Sequence, residues 1–174
     1  MDNQSIYLIG LMAVGKSTVG RLLADKLKRP FFDTDKEVEK KAGAAVSWIF
    51  DVEGEEGFRD REEQVIEELT GKMGIIVATG GGVIKRKINR RMISENGIVL
   101  HLDCPNKTLI NRVKNDKKRP LIEGRDVESV LLRLKSERDP LYGEIANYRF
   151  VTDEQSNSTL VKNIIDTIGK HKVI

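Results

Sequence analysis

Short apolar runs alternate along this chain with segments whose apolar residues recur at helical spacing. Ile6-Tyr7-Leu8-Ile9 reads as a short buried strand, and Thr18 to Leu27 as a helix carrying Val19, Leu22, Leu23 and Leu27 on one side. Pro30-Phe31-Phe32 leads into a second strand ending at Asp33. Helical segments are expected over Asp35–Ala42, closed by Gly43, over Ser47–Val52, and over Glu55–Leu69, where Phe58, Val65, Ile66 and Leu69 are the apolar members. Gly74 to Ala78 is a continuous apolar run, typical of a central parallel strand, and it ends directly in Gly80-Gly81-Gly82. A basic helix is expected over Lys85–Glu95, a strand over Ile98–Leu102 and a helix over Asn106–Val113. A helix over Val127–Glu137, a last strand over Tyr148–Val151 and a closing helix over Ser158–Ile168 complete the pattern. There is no internal repeat and no low-complexity linker. This alternation predicts an α/β fold, a parallel sheet covered by helices on both faces.

The junction between the first strand and the first helix carries the strongest chemical signal. Gly10-Leu-Met-Ala-Val-Gly15-Lys16-Ser17 fits the phosphate-loop pattern G-x-x-x-x-G-K-[ST] at every fixed position. Glycines let the backbone wrap closely around an anion, and the unpaired N–H groups of the following helix point at it. Lys16 can reach the β- and γ-phosphates, and the Ser17 hydroxyl can ligate Mg²⁺. A glycine-rich turn arising by chance would lack the strand before the motif and the helix after it.

Other charged and glycine-rich segments also follow predicted strands, so they should converge on one cleft at the carboxyl ends of the sheet. Asp33-Thr34-Asp35 places two carboxylates at a strand end, one of which could serve a metal through water while the other faces an acceptor. Asp35 could instead cap the following helix. Gly80-Gly81-Gly82 suggests close approach of a ligand to the backbone, with a tight strand-to-helix turn as the alternative. Arg59 sits on an acidic helix, where Glu55, Glu56, Asp60, Glu62 and Glu63 could satisfy it as surface ion pairs. Arg138 is equally open between pairing and binding. Two arginines would suit a carboxylate-bearing substrate, because guanidinium holds carboxylate in a bidentate fork. Lys114 to Arg125 is charged and aperiodic and contains Lys117-Lys118-Arg119-Pro120; it is either a solvated loop or a lid that brings positive charge over phosphates.

Composition narrows the classes. A length of 174 residues suits one domain spanning 1–174, and 33% charged with 39% apolar residues is an ordinary soluble balance. The net charge of +3 is too weak to argue for nucleic acid, and the cluster Lys85–Arg91 is best read as a solvated helix face. Cys104 is the single cysteine, so there is neither a disulfide framework nor a thiolate metal site, and it reads as a small apolar filler after a strand. His101 and His171 have no metal-ligand spacing. No stretch is apolar enough to span a bilayer, and Met1 to Ser5 carries no basic region ahead of the first strand. A cytoplasmic protein, monomeric and without a membrane or nucleic-acid partner, is expected.

Taken together these segments resemble the shikimate kinases. The resemblance runs from Ile6 to about Ile168 and rests on Gly10–Thr18, Asp33-Thr34-Asp35, Ser47-Trp48-Ile49-Phe50, Gly54–Arg59, Thr79–Gly82, Arg119-Pro120-Leu121 and Arg138-Asp139-Pro140-Leu141-Tyr142. It implies a three-layer α/β sandwich of the nucleoside-monophosphate-kinase type, with a five-stranded parallel sheet of order 2-3-1-4-5, helices on both faces and a mobile lid at about 114–125. It implies ATP-dependent phosphorylation of the shikimate 3-hydroxyl, with Mg²⁺, as a step toward the aromatic amino acids. Carried over position by position, Gly10, Ala13, Val14, Gly15, Lys16, Ser17 and Thr18 would hold the nucleotide, with Lys16 on its phosphates. Ser17, and Asp33 through water, would serve the metal. Asp35 would orient the acceptor hydroxyl, Arg59 and Arg138 would hold the carboxylate with the Gly81 N–H assisting, and Glu62 would brace the arginines. Arg119 would close onto the transferred phosphate, and Arg112 would lie against adenine opposite the Thr152–Ser156 loop, including Gln155. Three rival readings are a gluconate or nucleoside-monophosphate kinase on the same fold, a nucleotide-binding switch or module without transfer chemistry, and a basic nucleic-acid-binding protein using Lys85–Arg91.

Overall fold

The computed structural model describes residues 3–115, 126–153 and 155–170. Along the chain run β1 (Ser5–Ile9), α1 (Lys16–Leu27), β2 (Phe31–Asp33), α2 (Thr34–Ala42), α3 (Val46–Thr70) and β3 (Ile76–Ala78). A 3-10 turn (Val83–Lys85), α4 (Lys87–Glu95), β4 (Gly97–Asp103), α5 (Asn106–Lys114), α6 (Val127–Ile145), β5 (Tyr148–Val151) and α7 (Asn157–Lys170) follow. The strands form one parallel sheet in the order β2-β3-β1-β4-β5. β1 is central, with Ile6 opposite Ile76 on one side and Ile98 on the other. All five of its residues are buried. Because successive side chains of a strand point to opposite faces, that pattern requires helices on both sides. The helices surround the sheet accordingly, with α1 packing against α7, and α3 against α2 and α4.

Three elements differ from the sequence pattern. The two helical pieces expected around residue 54 are joined end to end in α3, with Gly54 at φ 72°, ψ −178° between them. That left-handed φ suits glycine and redirects the chain without ending the helical run. The break brings the Arg61 guanidinium back onto Glu53, at 2.8 and 2.7 Å. Helix α6 continues to Ile145, past Pro140, which the sequence pattern had treated as lying beyond the helix. Proline deletes one backbone hydrogen bond, but Leu131, Leu134, Arg138, Tyr142 and Ile145 form one buried stripe across it. Burial of that stripe outweighs the missing bond. Finally, the basic run at the start of α4 is not simply solvated. Arg86 pairs with Glu56, Asp60 and Glu63 of α3 at 3.0, 2.7 and 2.9 Å, Lys85 pairs with Glu55, and Arg90 with Glu144.

Tight main-chain contacts fix the β1–β4 pair at the end of the sheet away from the phosphate loop. A Cβ on Gly97 would lie 2.5 Å from the Ser5 carbonyl oxygen and 2.7 Å from the Tyr7 ring. Gly97→Ala therefore overpacks the β1–β4 pair and should cost about 1–3 kcal/mol. At this chain length that corresponds to a melting temperature lower by roughly 3–10 °C, read by thermal denaturation.

Candidate active site

The loop between β1 and α1 is held in a conformation that ordinary side chains resist. Gly10 has φ 144°, Gly15 φ 103° and Ala13 φ 62°, the last a non-glycine residue in the left-handed region. A Cβ on Gly10 would stand 2.2 Å from the Leu102 carbonyl oxygen, so the loop lies directly on β4. Gly15 precedes α1 and offers no side-chain cap to the first turn. A helix start without a side-chain cap is the arrangement that attracts phosphate. Lys16 is buried, and its ammonium donates to the Gly10 and Leu11 carbonyls at 2.7 and 2.6 Å. Ser17 Oγ donates to Asp33 Oδ2 at 2.6 Å.

A cleft of about 420 Å³ opens over this loop. Of the residues singled out from sequence, Ala13, Val14, Gly15, Lys16, Ser17, Thr18, Asp33, Asp35, Gly81 and Arg112 line it. Arg112 Nη1 donates to the Ala13 carbonyl at 3.1 Å, and its other terminal nitrogen faces Asp153 at 3.7 Å. Across from Arg112 the wall is made by Thr152 and Asn157, whereas Gln155 stands outside it, its side-chain carbonyl accepting from Asn163 at 2.8 Å. Asn157 was not legible in the sequence because nothing distinguishes it from any polar residue at a helix start. Arg119 and the proposed lid core, 116–125, lie outside the described residues.

The two carboxylates after β2 divide their tasks. Asp33 caps α2, its Oδ1 accepting from the Asp35 and Lys36 N–H groups at 3.1 and 3.4 Å, while its Oδ2 takes the Ser17 hydroxyl. The capping carboxylate is thus Asp33, leaving Asp35 to face the cleft. Burial pushes the Asp35 carboxyl above its ordinary pKa, with Asp33 adding to the effect and Lys16 and Arg59 opposing it.

Around the triple glycine several charges are buried together. Arg59 is 5% exposed, Glu62 1% and Arg138 6%. Arg59 Nη1 donates to Glu62 Oε1 at 2.7 Å, and its guanidinium lies 5.1 Å from the Phe58 ring centroid. The glycines make room for these groups. A Cβ on Gly80 would meet Asp35 Oδ1 and Glu62 Oε2 at 2.8 Å each; on Gly81, Arg138 Nη1 at 3.4 Å; on Gly82, Arg59 Nη2 at 2.3 Å. The close approach suggested by the glycines is therefore made, within the described residues, by the site's own side chains. The acidic neighbours expected to satisfy Arg59 at the surface are divided: Glu55 and Glu62 reach it, whereas Glu56, Asp60 and Glu63 serve Arg86. Burial pushes the Glu62 carboxyl up to about 7, against the charge and hydrogen bond of Arg59.

A phosphate loop on a 2-3-1-4-5 parallel sheet, with Asp35 lining the cleft above it and two buried arginines against the adjoining glycine turn, defines a P-loop phosphotransferase. The family model "SKI: Shikimate kinase" matches residues 12–169, and the chain belongs to the shikimate kinase family. It is 49% identical over 170 residues to "Shikimate kinase" of Buchnera aphidicola subsp. Schizaphis graminum, covering 97% of this chain and 98% of that one. It is 48% identical over 169 residues to "Shikimate kinase" of Pseudoalteromonas atlantica, covering 97% and 99%. The structure of "Shikimate kinase from Acinetobacter baumannii in complex with shikimate" matches with a TM-score of 0.95 at 42% identity, over 99% of this chain and 96% of that one. Members of this family are phosphotransferases with an alcohol group as acceptor and ATP as the nucleotide substrate. The match favours this family over the gluconate and nucleoside-monophosphate types, and over a non-catalytic module.

The raised Glu62 pKa has a definite sign in stability. Between its ordinary value of 4.5 and about 7, the folded chain holds a proton on Glu62 that the unfolded chain has released. Stability therefore falls as pH rises through that window and levels off above it. Glu62→Gln removes the titration while Asp35 still titrates in both proteins. The melting temperature of the wild type should drop relative to that of the variant between about pH 5 and about pH 8. A constant difference across that range would refute the assignment.

Proposed function

We propose that the chain phosphorylates the 3-hydroxyl of shikimate with ATP in the cleft above the phosphate loop. The observation that carries this reading is the convergence of the loop, Asp35 and two buried arginines on the glycine turn 80–82. ATP phosphates lie in the concavity of residues 10–18, with Lys16 neutralising charge as the γ-phosphoryl group departs. The adenine lies between Arg112 and the wall of Thr152 and Asn157. Asp35 holds the acceptor hydroxyl and aligns its oxygen with the γ-phosphorus. The raised affinity of this buried carboxylate for a proton suits a group that receives the hydroxyl proton as the new P–O bond forms. Arg59 and Arg138, with the Gly81 N–H, hold the substrate carboxylate, and Glu62 fixes Arg59. Arg119 supplies further positive charge to the transferred group.

The donor set also fits Mg²⁺. Ser17 Oγ and Asp33 Oδ2 are hard oxygens 2.6 Å apart beside the phosphate loop, and no cluster of three or more His, Cys, Asp or Glu side chains able to hold a metal occurs among the described residues. That matches a cation held mostly by phosphate and water rather than by a protein cage. When bound, it neutralises the β- and γ-phosphate oxygens.

No helix among the described residues is long and apolar enough to cross a membrane, and a monomeric cytoplasmic enzyme of one domain is the corresponding proposal. A coupled ADP-release assay across shikimate, its carboxamide, gluconate and nucleoside monophosphates tests the acceptor. Shikimate should be turned over in preference to all others, with the carboxamide poorer by roughly 10-fold or more, as loss of a charge-assisted pair requires. Equal use of the carboxamide would refute the arginine–carboxylate pairing.

Two variants separate the roles. Lys16→Met should fold normally and lose on the order of 10²-fold or more in kcat, the cost of a preorganised charge contact. Asp35→Asn keeps the shape but not the charge and should lower kcat with little change in shikimate KM. Near-normal turnover in either folded variant would overturn its assignment.

A further inference from the structure

Three successive glycines give the turn 80–82 little conformational preference of its own, so its shape has to be imposed from outside. Two of its anchors are local and backbone, the Val83 N–H donating to the Gly80 carbonyl and the Lys85 N–H to the Gly82 carbonyl at 3.1 Å each, and a third is distant, the Gly80 N–H donating to Thr34 Oγ1 at 2.8 Å. The Gly81 carbonyl, at the centre of the turn, is held by the hydroxyl of Tyr142.

Tyr142 is completely buried, and its ring lies against His101 of β4, with centroids 5.0 Å apart and planes inclined by 31°. Burial pushes the His101 imidazole down to about 4, so a neutral ring faces the phenol. Tyr142 stands one helical turn after Arg138 on the same buried stripe of α6. The Arg138 guanidinium faces both partners of the bond. Its Nη1 comes within 3.4 Å of where a Gly81 Cβ would be, and its positive charge acts on the phenol. Position 81 is thus tied by the hydroxyl to α6, one helical turn from position 138.

We propose that Tyr142 is a positioning residue for the acceptor: its hydroxyl ties the Gly81 carbonyl to the Arg138 segment of α6, holding the glycine turn and the carboxylate-binding arginine in register. This rests on the reading of Arg138 and Gly81 as acceptor contacts. A tyrosine serving only to fill the core would need its ring alone. The inference instead places the function in the hydroxyl, which Tyr142→Phe removes while keeping the ring against His101.

The experiment measures steady-state KM for shikimate and ATP, kcat and melting temperature for Tyr142→Phe, Arg138→Lys and the double variant. Tyr142→Met serves as a second hydroxyl-free variant should the phenylalanine fold poorly. Tyr142→Phe should raise shikimate KM by about 5- to 20-fold, the scale of one buried hydrogen bond, with ATP KM changed by less than about twofold. The double variant should show less than the product of the single effects, because both act on the same contact. A shikimate KM unchanged in the hydroxyl-free variant, while Arg138→Lys raises it, overturns the positioning role and leaves the arginine reading intact. Unchanged shikimate KM in Arg138→Lys overturns the arginine reading itself, and the inference with it. Parallel rises in shikimate and ATP KM, tracking a lower melting temperature, would mark Tyr142 as core packing and also overturn the inference.

Discussion

The site depends on keeping several charges out of water at one place. Arg59, Glu62 and Arg138 are almost wholly buried, and Asp35 faces the same glycine turn. Separately, each would be costly; removing one member of a buried pair typically costs about 3–5 kcal/mol. Together they are tolerable because the Arg59–Glu62 pair is short and a Cβ-free backbone lets the charges sit against it. The glycines therefore contribute twice, by shaping the turn and by vacating the volume the charged groups occupy. What holds the arginines also preorganises them, since groups packed this closely have few alternative rotamers to lose when an acidic molecule enters.

Outside this centre a second charge network fixes the scaffold. Arg86 gathers Glu56, Asp60 and Glu63 from one face of α3, and Lys85 takes Glu55. These pairs are partly solvated, so each contributes little alone. Their geometric effect is larger than their energy. They tether the segment just after the glycine turn to the helix that carries Arg59, so the two sides of the Gly82–Arg59 contact are joined a second time. Opposing charge is thus partitioned: Glu62 is buried with Arg59, Glu55 is shared between Arg59 and Lys85, and Glu56, Asp60 and Glu63 go to the half-buried Arg86.

Much of this was legible in the chain. The phosphate loop has an almost unique spacing, the apolar runs place the strands, and the order of the sheet followed from the family resemblance. The signals that failed share a physical cause. Pro140 is a strong local stop, but a local rule cannot weigh a buried stripe extending over about four turns of helix. Gly54 reads as a boundary, yet its left-handed φ connects two helical segments instead of separating them. Arg59 had five acidic neighbours in sequence, and only the fold shows which of them share its burial. The Tyr142–Gly81 bond spans 61 residues and links a side chain to a main-chain carbonyl, a contact that leaves no mark in residue spacing.

The parallel topology also bears on the order in which the protein is assembled. Each strand of the sheet pairs with partners far away in sequence: β1 with residues about 70 and 92 positions later, and β4 with residues 48 positions later. The loop between β1 and α1 is synthesised well before β4, but Gly10 takes its conformation against the Leu102 carbonyl. The chain must therefore be synthesised through β4 before that loop can acquire its shape. Such non-local closure is slow, and during it the apolar residues of β1 have no neighbours on either side. The nascent chain is most vulnerable to wrong association in this interval, and a partner that shields residues 5–9 would act there, on translation time, rather than on the finished enzyme.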